Sequence, residues 1–248
     1  MEEGFPSSVV EVTAGWFSED SVAEIVLDLF DGNNDAEDAD TVSLSIAEMT
    51  SALVDKVPDT PVATTIFSLV TPLISANLDQ ETAIRALLKN HSIALEAGEI
   101  DVYGSHELVV SGGVTDNALP IFAPITVDGE AVRVCQDNTH TPEDYVASEP
   151  DANKLGNRTL GRFSVTESGS FVFSATSGVQ GGLGRSDDPD LLVYKLGQQI
   201  AYNSNSGSVS ESLDDLTVGE YWFVLYDYGF LAGKQSSAPC QLVEINRK

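Results

Sequence analysis

The spacing of apolar positions changes character partway along the chain. From Trp16 to about His91 it is helical: Val22, Ile25, Val26, Leu29 and Phe30 fall three or four residues apart and form one stripe. Ser21 followed by Glu24 has the capping-box spacing that opens such a helix. Ser45 followed by Glu48 repeats it ahead of a second apolar set, Ile46, Met49 and Leu53. A third helix is predicted from near Pro61, where a missing N–H costs nothing, and carries Ile66, Phe67, Leu69 and Val70. Pro72 should end or kink it. Asp79 is placed to cap a fourth helix that turns Ala83, Ile84, Leu87 and Leu88 inward.

Beyond about residue 92 the helical period fades into short extended pieces broken by Gly98, Gly104, Gly112, Gly113, Pro120 and Pro124. Strand-like runs follow at 131–134, 160–166, 170–175, 190–195, 199–202, 221–226 and 240–245. Glu167-Ser168-Gly169 reads as a hairpin turn with Phe171 and Phe173 on one face beyond it, and Ser204–Ser212 reads as a polar loop. Tyr221–Tyr226 is apolar on both faces, which marks a central strand. Short strands separated by Gly, Ser and Asp turns predict an antiparallel sandwich or barrel.

Charge narrows the range of partners. The chain has 39 acidic and 12 basic residues, a net charge of −27. Such a field repels phosphate backbones and anionic headgroups, so nucleic acid is excluded as a partner. No apolar run approaches the ~20 residues of a membrane helix, and no membrane insertion is expected. The start, Met-Glu-Glu-Gly-Phe-Pro, lacks the pattern of a signal peptide, so the chain is either cytosolic or a piece of something longer.

Cys135 and Cys240 are the only cysteines and lack the spacing of a zinc site. They are either two unconnected buried thiols or one disulfide. If their runs are the first and last strands of one sheet domain, a bridge clamps its two ends and implies an oxidising compartment. H-E-x-x-H, G-x-S-x-G and the phosphate-binding glycine motifs are all missing, so no catalytic residue is nominated. His91, His106 and His140 lie far apart in unrelated contexts. Asp31, Asn33 and Asp35 alternate directly after the first helix, as oxygen ligands do at the start of a calcium loop. The EF-hand pattern then fails, with Gly32 at its second place and Val42 at its twelfth. Asp188 and Asp190, at a strand entrance with Asp187 and Pro189, form a second calcium candidate. An ordinary acidic loop and a plain turn are the alternatives for these two clusters.

Lys154-Leu155-Gly156-Asn157-Arg158, Gly161–Val165, Gly169–Phe173, Asp188–Tyr194 and Val218–Trp222 follow one another in an order that resembles the bacterial pre-peptidase C-terminal domain. The resemblance covers roughly residues 118–248 and implies a small, non-catalytic β-sandwich associated with secretion, processing or substrate attachment. In it a Cys135–Cys240 bridge would tie first and last strands. More weakly, Gly15–Ser21, Asp28–Asp31 and Ile66–Ser68 are similar to the helical region downstream of the zinc site in secreted proteins that look like gluzincin metallopeptidases. That catalytic motif lies outside this chain.

The expected organisation is α+β: a helical subdomain over residues 1–92, an extended linker over 93–117 and an antiparallel β-sandwich over 118–248. The expected role is that of a C-terminal accessory portion of an extracellular or cell-surface bacterial protein. Its partners would be an upstream catalytic domain and a protein or polysaccharide substrate. Two rivals stand beside this reading: part of a zinc metallopeptidase completed outside the chain, and a carbohydrate- or protein-binding adhesin.

Overall fold

The computed structural model describes residues 14–16, 19–31, 41–93, 100–107, 120–135, 158–177, 188–205, 208–227 and 240–248. Its fold is α+β, with helices preceding two mostly antiparallel sheets that pack as a sandwich.

Helix α1 (Glu19–Asp31) buries Ile25 and Leu29 completely, with Val22 and Val26 packed beside them. Phe30, expected in the stripe, is instead exposed. Ser21 is not the cap but lies inside the first turn, where its Oγ accepts a hydrogen bond from the Gly15 N–H at 3.2 Å. Helix α2 (Ile46–Ser51) has the predicted capping box: the Glu48 carboxylate accepts from the Ser45 N–H at 2.7 Å, and Ser45 Oγ accepts from the Glu48 N–H at 3.3 Å. Met49 and Ala52 point inward, but Ile46 and Leu53 are exposed. The winding loosens to a π turn over Ala52–Lys56 and then tightens to a 3₁₀ turn over Val57–Asp59, so α-helical spacing misplaces the side chains beyond Ser51.

Helix α3 (Ile66–Ala76) begins five residues later than the proline predicts. Thr65 caps it, accepting from the Ser68 N–H at 3.4 Å while Ser68 Oγ accepts from the Thr65 N–H at 2.9 Å. Pro72 neither ends this helix nor prevents its last turn. It forfeits one backbone bond, and burial of Leu73 and Ile74 just beyond it outweighs that loss. Helix α4 (Glu81–Asn90) buries Ile84, Leu87 and Leu88; its N-cap is Gln80, and Asp79 lies in the preceding turn.

The strands are β1 (Phe122–Pro124), β2 (Val132–Cys135), β3 (Thr159–Val165), β4 (Gly169–Ser177), β5 (Pro189–Lys195), β6 (Gln198–Asn203), β7 (Val209–Leu216), β8 (Gly219–Asp227) and β9 (Cys240–Arg247). One sheet has the order β1-β3-β8-β5-β6 and the other β2-β9-β4-β7; only the β1–β3 pair is parallel. Residues 166–168 therefore do not close a hairpin but carry the chain from one sheet to the other. A short polar turn serves either purpose, and local sequence does not distinguish them. The true tight hairpin joins β5 to β6, with Leu196 and Gly197 both at positive φ (46° and 74°).

Strand β7 takes up the last four residues of the expected loop at Ser204–Ser212. Its alternation is hidden because Leu213 and Leu216, three residues apart, are both buried; Asp215 takes φ 57° between them, opposite an irregularity in β4.

Two cores result. Between the sheets lie Phe163, Phe171, Phe173, Tyr221, Phe223, Leu225, Val243 and Ile245, among others. The second core joins the helices to the outer face of the five-stranded sheet, where Phe122, Leu160, Trp222 and Val224 meet Phe67 and Leu73 within one buried cluster. This explains why β8 is apolar on both faces: it is central, as predicted, and each face enters a different core. Residues 100–107 form turns against this layer, with Ile100, Val102 and Tyr103 packed on it. Gly104, at φ +60°, passes so close to Phe67 and Ile121 that a Cβ would lie 2.7–2.9 Å from their carbons.

Candidate functional site

Strand directions divide the sandwich into two unequal ends. At one end the connections are short: residues 125–131, 166–168, 196–197 and 217–218. The other end receives the connections over residues 136–158, 178–188, 204–208 and 228–239. Long connections on a rigid scaffold are where binding groups are usually carried. The polar residues that the strands bring to this second end are therefore the candidate site.

Strand phase sorts them. On β8, Tyr221, Phe223 and Leu225 face the inner core, so Asp227 continues the inner row; it is fully buried. One Asp227 oxygen accepts the Asp188 N–H at 2.9 Å. On β9, Val243 and Ile245 face inward, so Gln241 is likewise inner, fully buried, and neither of its amide atoms has a hydrogen-bond partner. Asn203, also inner, donates to Glu211 at 2.9 Å and accepts the Asn205 N–H at 3.0 Å. A polar layer thus closes this end of the apolar core.

Asp190 belongs to the opposite face of β5. Tyr226 is its register partner and donates a hydrogen bond to its carboxylate. Burial raises the Asp190 pKa above the ordinary aspartate value; the Tyr226 bond works against this, and the charges of Asp188 and Asp227 add to it. Burial, reinforced by Asp190, pushes Tyr226 up to about 12. The Arg158 guanidinium lies 5.5 Å from the centre of the Tyr226 ring.

Cys135 and Cys240 are register partners on β2 and β9 and form a disulfide on the outer face of the four-stranded sheet. The bridge joins the second strand to the last, since β1 precedes β2, and it spans one ladder rather than the two sheets.

Of the predicted calcium residues, the structure brings Asp188 and Asp190 near each other and near Asp227, with Asp190 on the opposite face of the sheet from Asp227. Asp31 ends α1. Its side chain, Asn33 and Asp35 lie outside the described residues, as does His140. Among the described residues no three of His, Cys, Asp and Glu are grouped to hold a metal ion. No helix of the described residues is long and apolar enough to cross a membrane. Asp227 and Gln241 were not singled out by the sequence reading. Their signal was phase, because each lies two residues from an inward apolar side chain on its strand.

No family model matches the chain, and no curated protein matches it in sequence. Among solved structures it is similar to the pre-peptidase C-terminal domain of a collagenase from Bacillus anthracis, with 11% identity over 50% of this chain and 92% of that one (TM-score 0.31). It is also similar to a surface-associated copper-binding protein of Methylomicrobium album, with 10% identity over 51% of this chain and 98% of that one (TM-score 0.31). A third similarity is to a secreted serine protease of Vibrio cholerae, with 13% identity over 50% of this chain and 22% of that one (TM-score 0.29).

Proposed function

We propose that this chain is a non-catalytic accessory portion of a secreted bacterial peptidase-like protein, serving folding, export or attachment to substrate. The observation that carries this reading is positional. Four of the five sequence blocks resembling a pre-peptidase C-terminal domain fall in order on β3, on β4, on β5 with the residue before it, and at the start of β8; the first, at 154–158, lies outside the described residues but for Arg158. They are framework of the sandwich, which is what an accessory domain has to supply.

The disulfide adds support, because such bonds persist in oxidising compartments. In this reading residues 1–92 correspond to the helical region that follows a zinc centre lying upstream. The helices cover the outer face of the five-stranded sheet, where Tyr194 and Trp222 stack at 4.1 Å. A carbohydrate platform on those aromatics would have to displace that layer.

The test is deletion of residues 118–248 from the encoding gene. Less of the parent protein should then reach the medium, or less should stay on insoluble protein substrate. Unchanged export together with unchanged retention would overturn the proposal. So would chelator-sensitive cleavage of an unfolded protein by this chain alone.

A further inference from the structure

Arg133 and Cys135 are two residues apart on β2, so both side chains lie on the outer face of the four-stranded sheet. Cys135 is the register partner of Cys240 on β9, and Arg133 is that of Leu242. Arg133 is therefore the diagonal neighbour of Cys240, and its Nη2 donates a hydrogen bond to Cys240 Sγ at 2.8 Å. The guanidinium rests on one sulfur of the bridge. The two cysteines differ in exposure as well: Cys240 is buried, at 9% exposed, and Cys135 is half-buried. Their strands differ too, because β9 lies between β2 and β4 whereas β2 is the edge of its sheet.

A thiolate opens a disulfide by attacking one sulfur in line with the bond, from the side away from the sulfur that leaves. The bridge joins register partners on neighbouring strands, so its axis crosses the ladder. Attack on Cys135 comes from beyond the sheet edge, where among the described residues this sheet has no further strand. Attack on Cys240 has to come over β9 from the side of β4. When Cys135 is the sulfur attacked, the sulfur that departs is the one Arg133 holds. A cation beside a sulfur favours its thiolate, and a better-stabilised thiolate leaves faster.

We propose that Cys135 is a site of mixed-disulfide formation with an external thiol, and that the bridge opens in this one sense. The incoming thiol gives its proton to solvent, and its thiolate bonds to Cys135 Sγ. The Cys135–Cys240 bond breaks, and its electron pair leaves on Cys240 as a thiolate beside Arg133. One S–S bond has then replaced another, with no net oxidation or reduction. A dithiol carries the exchange further: its second thiolate displaces Cys135, so the dithiol ends oxidised to a disulfide and the two cysteines end reduced. This exchange site goes beyond the accessory reading and does not depend on it.

The test uses the full, oxidised chain with reduced glutathione as the probe, quenched with acid at short times. Peptide mapping should find glutathione on Cys135 and a free thiol at Cys240. Arg133→Gln should slow the opening roughly threefold to tenfold, and Arg133→Lys, which keeps the charge, should retain most of the rate. Both readouts report the first exchange on the folded protein, so they hold even where the opened chain later unfolds. Glutathione found chiefly on Cys240 overturns the proposal. So does an unchanged rate in Arg133→Gln, or a rate in Arg133→Lys as low as in Arg133→Gln, which would mean that the cation does not assist the departing sulfur. Two free thiols in the untreated protein would overturn it as well.

Discussion

The ring of Phe223 lies over Gly161, its register partner across the β3–β8 ladder, and fills the space where any other residue would place its Cβ. The same ring meets Phe173 from the facing sheet. Gly161 is thus set by an approach between strands, not by a turn. Gly161→Ala should cost about 1–3 kcal/mol or more, because the ring must leave its position in a close-packed core. Urea unfolding should show the loss, and adding Phe223→Leu should recover part of it. Additive losses in the double variant would mean that the two residues are not in conflict.

A fragment starting at residue 118 tests how far the sandwich depends on the helices. The fragment keeps the inner core and the disulfide, so a sandwich signature should survive in circular dichroism. It also exposes Leu160, Trp222 and Val224, buried in the full chain. Trp222 would be its only tryptophan, so its emission should shift to the red and the melting midpoint should fall. Unshifted emission would show that the helical layer does not shield that face.

Peptide mapping of the unreduced protein should recover Cys135 linked to Cys240. The two cysteines are 105 residues apart in sequence. In the chain-entropy model, closing a loop of that size contributes about 4–5 kcal/mol, so reduction should lower the melting midpoint by many degrees. Two alkylatable thiols in the native protein would rule the bridge out.

His91, at the end of α4, faces two carboxylates of α1: Nδ1 lies 3.5 Å from Glu24 and Nε2 lies 3.7 Å from Asp28. Burial lowers its pKa, and the Glu24 charge opposes that without reversing it. A histidine depressed in the folded state binds fewer protons there than in the unfolded chain. Its contribution to stability is therefore full above the unfolded value of about 6.5 and is lost as pH falls through the folded value. Ring-proton NMR should place the His91 midpoint below 6.5, and His91→Gln should flatten the acid side of the stability curve. A midpoint above 6.5 would mean that the two carboxylates outweigh burial.

Periodicity made the helices and most of the strands legible, because burial of one face writes itself into spacing. It was less informative where winding or register changes: the π turn after Ser51 displaced Leu53, and Asp215 broke the phase of β7. The turn at residues 166–168 showed another limit, since the sheet that receives β4 is chosen by contacts with β7 and β9, far along the chain. Composition drew attention to runs of aspartate, yet the residues that close the polar end include Gln241 and Asp227, each embedded in an apolar strand. Only the phase of their neighbours distinguishes them.

Strand β9 lies between β2 and β4, both made long before it. On the ribosome, β2 therefore has no partner within its sheet until Cys240–Arg247 has been synthesised, and β4 has only β7. The four-stranded sheet cannot assemble progressively during translation; the last strand to be made completes it from within. Contacts over such separations form slowly. The four-stranded sheet should therefore stay incomplete on the ribosome until Cys240–Arg247 has been synthesised.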